Sequence, residues 1–148
     1  MAGLLPVRVL FYEFPDEPEL LTVDRQWLVG SDILVTPVLT PGAMTVDSIF
    51  PGRGSVIWHD WYTHAAVNTM SGGNTMLDAS LSHINVHIRD NSALLLHQVP
   101  EYTIYETREG PYSLLVCILY CICGRWDQLP AWTELEAHIP GCRRHAHD

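Results

Sequence analysis

The segment Val56-Ile57-Trp58-His59-Asp60-Trp61-Tyr62-Thr63-His64 concentrates aromatic side chains around a carboxylate and two imidazoles. Trp58, Trp61 and Tyr62 could offer flat faces to a sugar ring, because an aromatic side chain combines a large apolar surface with a polar handle. On a strand their spacing alternates imperfectly, so not all three can share one face. Packing at the edge of a core is the alternative use of such a cluster. The second concentration lies near the C-terminus, where Cys117, Cys121, Cys123 and Cys142 stand with His138, His145 and His147. Thiolates and imidazoles are the preferred ligands of zinc, but C-x-x-x-C-x-C lacks the paired spacing of a zinc knuckle. A disulfide in an oxidising compartment and unpaired thiols are the other readings. The expected metal and cofactor complement is none. His59, His64, His83, His87 and His97 are scattered, there is no nucleophile elbow, and Gly52-Arg53-Gly54 is too short for a phosphate loop.

The elements that would position these residues change character near Gly30. Up to Leu28 the apolar residues Leu20, Leu21, Trp27 and Leu28 suit one face of a helix, with Gly30 placed to end it in a left-handed turn. Asp16 is placed to cap that helix, with Pro18 and Glu19 in its first turn. Before it, residues 7–14, VRVLFYEF, are almost continuously apolar, as in a strand covered on both faces. Beyond Gly30, short strands are expected at 33–39, 45–50, 55–58, 74–79, 83–88, 92–97 and 112–123, separated by turns at 51–54, 71–73 and 90–91. In residues 83–88, HINVHI, the alternation places Ile84, Val86 and Ile88 towards a core and the two histidines and Asn85 outward.

With 148 residues the chain suits one domain, and at that size folding buries roughly 70% of the unfolded surface. A formal charge of −9 with only 8 lysines and arginines argues against nucleic acid as a partner. No apolar stretch reaches the length of a membrane span, so no membrane association is expected. The first residues lack the basic and apolar regions of a signal peptide, which leaves localisation open, and there is no N-x-Ser/Thr acceptor.

The words LFYEFPDEPEL, DRQWLVGSDILVTPVL and SHINVHIRDNSALLLH resemble family 31 glycoside hydrolases, the α-glucosidase family, over residues 7–116. The resemblance implies a mainly β fold: an antiparallel β-sandwich preceded by the last strand and helix of a (β/α)8 barrel, with an irregular C-terminal tail. Residues 1–30 would be the end of the catalytic barrel, 31–116 the sandwich, and 117–148 an unrecognised tail. The intact enzyme would hydrolyse terminal α-linked glucose from maltose-like oligosaccharides with retention, which needs two carboxyl groups about 5–5.5 Å apart. Glu13, Asp16, Glu17, Asp24, Asp32, Asp47 and Asp60 are available, yet none matches the family's catalytic motifs, which lie upstream of anything present here. The expectation is therefore a fragment without catalytic residues, inactive alone, a buttress whose natural packing partner is the missing barrel. A non-catalytic carbohydrate-binding sandwich is the alternative, and a zinc-stapled interaction protein a third.

Overall fold

The computed structural model describes residues 5–67 and 74–117, together with the backbone of 132–137. The described residues are mainly β, every paired strand is antiparallel, and the chain divides into two compact units, 1–90 and 91–148. None of the described helices is long and apolar enough to cross a membrane.

The first unit is built on five strands: β1 (Val7–Arg8), β2 (Trp27–Val29), β3 (Ile33–Thr36), β5 (Trp58–Asp60) and β7 (Asn85–Arg89), in the order β1-β2-β3-β7-β5. A separate ribbon pairs β4 (Thr45–Ile49) with β6 (Asn74–Asp78). Both sheets contribute to one core, in which Leu10, Leu20, Leu28, Leu34, Phe50 and Trp58 are buried and Ile49 and Leu77 of the ribbon pack against them. Burial of side chains of this size is the main driving force here, about 1.5–3 kcal/mol each.

A buried polar network holds the ribbon to the sheet. The Gln26 Nε2 donates towards Thr36 Oγ1 at 2.8 Å and Ser48 Oγ at 2.9 Å, and its Oε1 accepts from Ile49 N at 2.9 Å. Thr36 lies on β3 and Ser48 on β4, so one amide side chain spans both layers. Buried polar groups that find all their partners in this way fix one arrangement of the layers, since any slip would leave them unsatisfied.

The amino-terminal third departs from the helical expectation. Only Val7–Arg8 of the apolar run is a strand, and Leu10–Glu13 is one helical turn, α1. A continuous apolar run suits either period, and Pro15 keeps Phe14 out of the helical region, at φ −123° and ψ 66°, so the turn stops there. A five-residue 3-10 turn, Pro18–Thr22, follows with proline at its start, and Leu20 is buried. Asp16 does not cap it. The preceding Glu17 supplies no side-chain cap either, because its carboxylate reaches across to accept from Gly52 N at 2.8 Å. Trp27 and Leu28, assigned by spacing to a helix, form β2 instead. Gly30 does adopt a left-handed φ of +65°, but in the hairpin loop that pairs Val29 with Ile33.

The face assignment on β7 also differs from the alternating pattern. Cross-strand pairing puts Arg8, Leu28, Leu34, His87 and Asp60 in one row across the sheet. Asn85 and His87 are therefore on the face of Leu28, Leu34 and Trp58 and are buried, whereas Ile84 is 56% exposed. Register with β3 decides the matter, and the identity of the side chains does not: a shift of β7 by one residue would turn His87 away from the layer of Leu34. Ile88 is also buried, on the opposite face, so both sides of the strand are covered there.

The expected turn at 51–54 is present, with φ of +106° at Gly52, +46° at Arg53 and +77° at Gly54. A Cβ at Gly52 would lie 2.5 Å from Val56 Cβ, so both conformation and space require glycine. The expected turn at 71–73 lies outside the described residues.

The second unit is a three-stranded antiparallel sheet in the order β10-β9-β8, from β8 (Ser92–His97), β9 (Tyr112–Cys117) and β10 (Trp132–Ala137). Between β8 and β9 lies a short helix, α2 (Ile104–Glu109), whose N-cap Thr103 accepts from Glu106 N at 3.2 Å while Glu106 Oε2 accepts from the Thr103 hydroxyl. Thr103 is thus the N-cap of α2, and its hydroxyl bridges the Glu106 amide and carboxylate. On β9 burial alternates, with Ser113, Leu115 and Cys117 inside.

Candidate functional site

Several of the acidic residues available in the sequence are engaged in structural contacts. Glu13, on α1, is held at both oxygens: Oε2 lies 2.9 Å from Arg8 Nη1 and Oε1 lies 3.3 Å from Arg89 Nη1. The Arg89 guanidinium also sits 5.1 Å from the centre of the Phe14 ring, a cation–π contact that keeps the long side chain in place. One carboxylate thus ties β1, α1 and β7 together. Glu17 is buried and accepts from Gly52 N, Asp47 accepts from Asn74 Nδ2 at 3.3 Å, and Asp32 accepts from its neighbour Ser31. Asp16 and Asp24 are exposed.

The aromatic trio is separated by the fold. Trp58 is completely enclosed, with its indole N–H donating to Pro51 O at 2.8 Å, and so closes the core above the 51–54 turn. Trp61 is half-buried, and its backbone N–H continues the pairing with β7 through Val86 O at 3.0 Å. Tyr62 is 55% exposed and packs on His83, their ring centres 4.6 Å apart. Of the three, Tyr62 presents the open ring. Of the cysteine–histidine group, Cys117 is described and buried; Cys121, Cys123, Cys142, His138, His145 and His147 lie outside the described residues.

Beside Tyr62 the structure gathers residues that the sequence offered singly. Asp60 ends edge strand β5, and its Oδ1 accepts from Tyr62 N, Thr63 N and Thr63 Oγ1 at 3.0, 2.7 and 2.8 Å, which closes the following turn. Burial works against its charge, but the bonds from Thr63 and Tyr62 outweigh it and hold the carboxyl below its ordinary range. His87 stands opposite Asp60 in the cross-strand register. Its ring meets Phe50 edge-on at 4.7 Å, and its buried Nδ1 has no hydrogen-bond partner. Burial pushes His87 down to about 4, Asp60 pulling the other way and His83 adding to the fall. Asp60, Thr63, His83 and His87 line a recess of about 390 Å³ together with Asn85, Val67 and Leu77. The missed signal was the polar pair Asn85 and His87 two apart on a strand; alternation showed that they share a face without showing which face is covered.

A mainly antiparallel fold, with a sheet and a ribbon on one core, defines the first unit as a β-domain. Residues 3–94 match the family described as "Glycosyl hydrolase family 31 C-terminal domain", and the chain belongs to the family 31 glycoside hydrolases. It is 47% identical over 116 residues to an "Alpha-glucosidase" of Schizosaccharomyces pombe and 43% identical over 117 residues to an "Alpha-glucosidase" of Aspergillus niger. Each match covers 78% of this chain, which spans about 12% of the length of those curated relatives. Among solved structures, a family 31 α-xylosidase from a soil metagenome, complexed with xylose, superposes with a TM-score of 0.51 at 35% identity, over 59% of this chain and 12% of that one. The glucosidase II α subunit superposes with a TM-score of 0.67 over 75% of this chain and 13% of that one, at 21% identity, a likeness of fold.

Proposed function

We propose that this chain is the sandwich portion of a family 31 α-glucosidase and serves it as a buttress without carrying out chemistry itself. In the intact enzyme, terminal α-linked glucose would be released from maltose-like substrates with retention, through a covalent glycosyl intermediate formed by carboxylates outside this chain. Residues 1–30 would lead out of the barrel, 31–116 would form the supporting sandwich, and 117–148 would be a tail. The barrel domain is then the natural packing partner.

The observation that carries this reading is the set of exposed apolar side chains on the segment nearest the proposed barrel. Leu5, Val7, Tyr12 and Leu21 are 62%, 53%, 56% and 63% exposed, although each is a residue type that favours burial. The same segment is firmly held to the sheet from behind, by Glu13 with its two arginines and by Leu10 and Leu20 in the core. A segment anchored on one side and apolar on the other is suited to transmit support to a domain packed against it. The test is a chimera in which residues 7–117 replace the matching stretch of the Aspergillus niger α-glucosidase. Folding with maltose hydrolysis within about tenfold of the parent supports the reading, an activation difference of about 1.4 kcal/mol. A soluble chimera with an intact fold and no hydrolysis counts against it.

A further inference from the structure

We propose that the recess beside Asp60 and His87 binds one neutral sugar ring, with Tyr62 and His83 as its outer platform. The site lies on the supporting sandwich itself and goes beyond the buttress role. Its volume of about 390 Å³ falls within the range of roughly 300–1,000 Å³ typical of small-molecule sites.

The chemistry of its walls selects the ligand class. Asp60 uses only Oδ1 for its three turn-closing bonds, which leaves Oδ2 as an acceptor. Asn85 Nδ2 donates to Asp78 O at 3.0 Å, which leaves its Oδ1 as an acceptor. His87 lines the recess with 1% of its surface exposed, and its Nδ1 is shut off from solvent. The carboxylates of Asp60 and Asp78 disfavour anions. A bound divalent cation is disfavoured on geometry: among the described residues, Asp60, Asp78, His83 and His87 do not bring three ligating atoms within 4.8 Å of one another. A neutral molecule carrying several hydroxyls fits the acceptors, and Val67 and Leu77, which also line the recess, suit the C–H face of a pyranose. Tyr62, exposed and packed on His83 at 4.6 Å, extends that apolar surface at the rim.

The test is a heteronuclear NMR titration of the full chain with glucose and with maltose, using glycerol as a control polyol. The proposal expects saturable shifts at the Tyr62, His83, Asn85 and His87 signals with a midpoint in the millimolar range, and none with glycerol. Tyr62→Ala and His83→Ala, each at the surface and read separately, should weaken binding about tenfold or more while the remaining spectrum stays unchanged. No shift up to about 50 mM sugar in a well-dispersed spectrum overturns the proposal. Shifts of equal size in both variants, or equal response to glycerol, overturn it as well. Failure here leaves the chimera experiment untouched, since that experiment reads hydrolysis at carboxylates outside this chain and this one reads binding at the recess.

Discussion

His87 makes the stability of the fold depend on pH in a defined window. Its imidazole lies in the row between Leu34 and Asp60, is 1% exposed, and is pushed from an ordinary 6.5 down to about 4, chiefly by burial. A base whose folded value is depressed binds its proton more readily when unfolded, so acid favours the unfolded chain. At pH 7 both states are neutral and the residue contributes no pH dependence. Between about 6.5 and about 4 the unfolded chain gains a proton that the fold excludes, and stability falls. A difference of about 2.5 units corresponds to roughly 3 kcal/mol at full extent, a large share of the 5–15 kcal/mol typical of a domain. The titratable groups facing it are Asp60, which offsets part of the effect, and His83, which adds to it. Asp60 itself contributes in the same sense but at lower pH: its carboxyl is held below its ordinary 3.8, so the stability it provides is lost only under more acid conditions. Urea unfolding at pH 7, 6, 5 and 4 measures the effect. With a slope of about 1–3 kcal/mol per molar urea, the midpoint should fall by about 1–3 M across the window. His87→Leu, a change towards the apolar character of its row neighbour Leu34, should remove most of that decline. An unchanged midpoint between pH 6.5 and 4.5, or the same decline in His87→Leu, would refute the reasoning.

Three substitutions probe the elements that place this site. Gly52→Ala forces a left-handed φ of +106° and a 2.5 Å approach to Val56, and should cost at least about 2 kcal/mol in urea unfolding. Gln26→Leu fills the same space but leaves Ile49 N, Thr36 and Ser48 with fewer partners; a loss of about 2–4 kcal/mol is expected, with thermal melting as the check. Glu13→Ala deprives Arg8, 9% exposed, of its carboxylate and should cost about 1–3 kcal/mol, of which Glu13→Gln recovers only part, measured as the difference between their unfolding midpoints.

How much of this was legible depended on whether local chemistry or long-range register decided the outcome. The strand 92–97 and the starts of strands at 33, 45, 74 and 112 were readable, because β-branched or aromatic runs bounded by turn residues carry their own signal. The 51–54 turn was readable for the same reason. The segment 16–28 was not. Leu20 and Leu28 are both buried, as helical spacing required, but the chain between them is a short turn and an extended link, and Trp27–Val29 is drawn into the sheet by pairing with Ile33–Val35. Tertiary pairing overrode a weak helical period. On β7, the buried positions of Asn85 and His87 follow from their alignment with Thr36 and Leu34, 49 and 53 residues away in sequence. The recess could not be read for that reason: Asp60, Asn85 and His87 meet only through the register of β5 on β7. Of the aromatic trio, sequence supplied the candidates and the fold separated them, enclosing Trp58 and leaving Tyr62 open.

The central claim, that this chain supports a glycosidase and does not itself cleave glycosides, is tested most directly by assaying the purified chain against maltose and a chromogenic α-glucoside at high protein concentration. With the protein shown to be folded, the account predicts no turnover above buffer for either substrate. Hydrolysis that follows the chain through successive purification steps would contradict it, because carboxylates within this sequence would then be performing the chemistry assigned to the barrel.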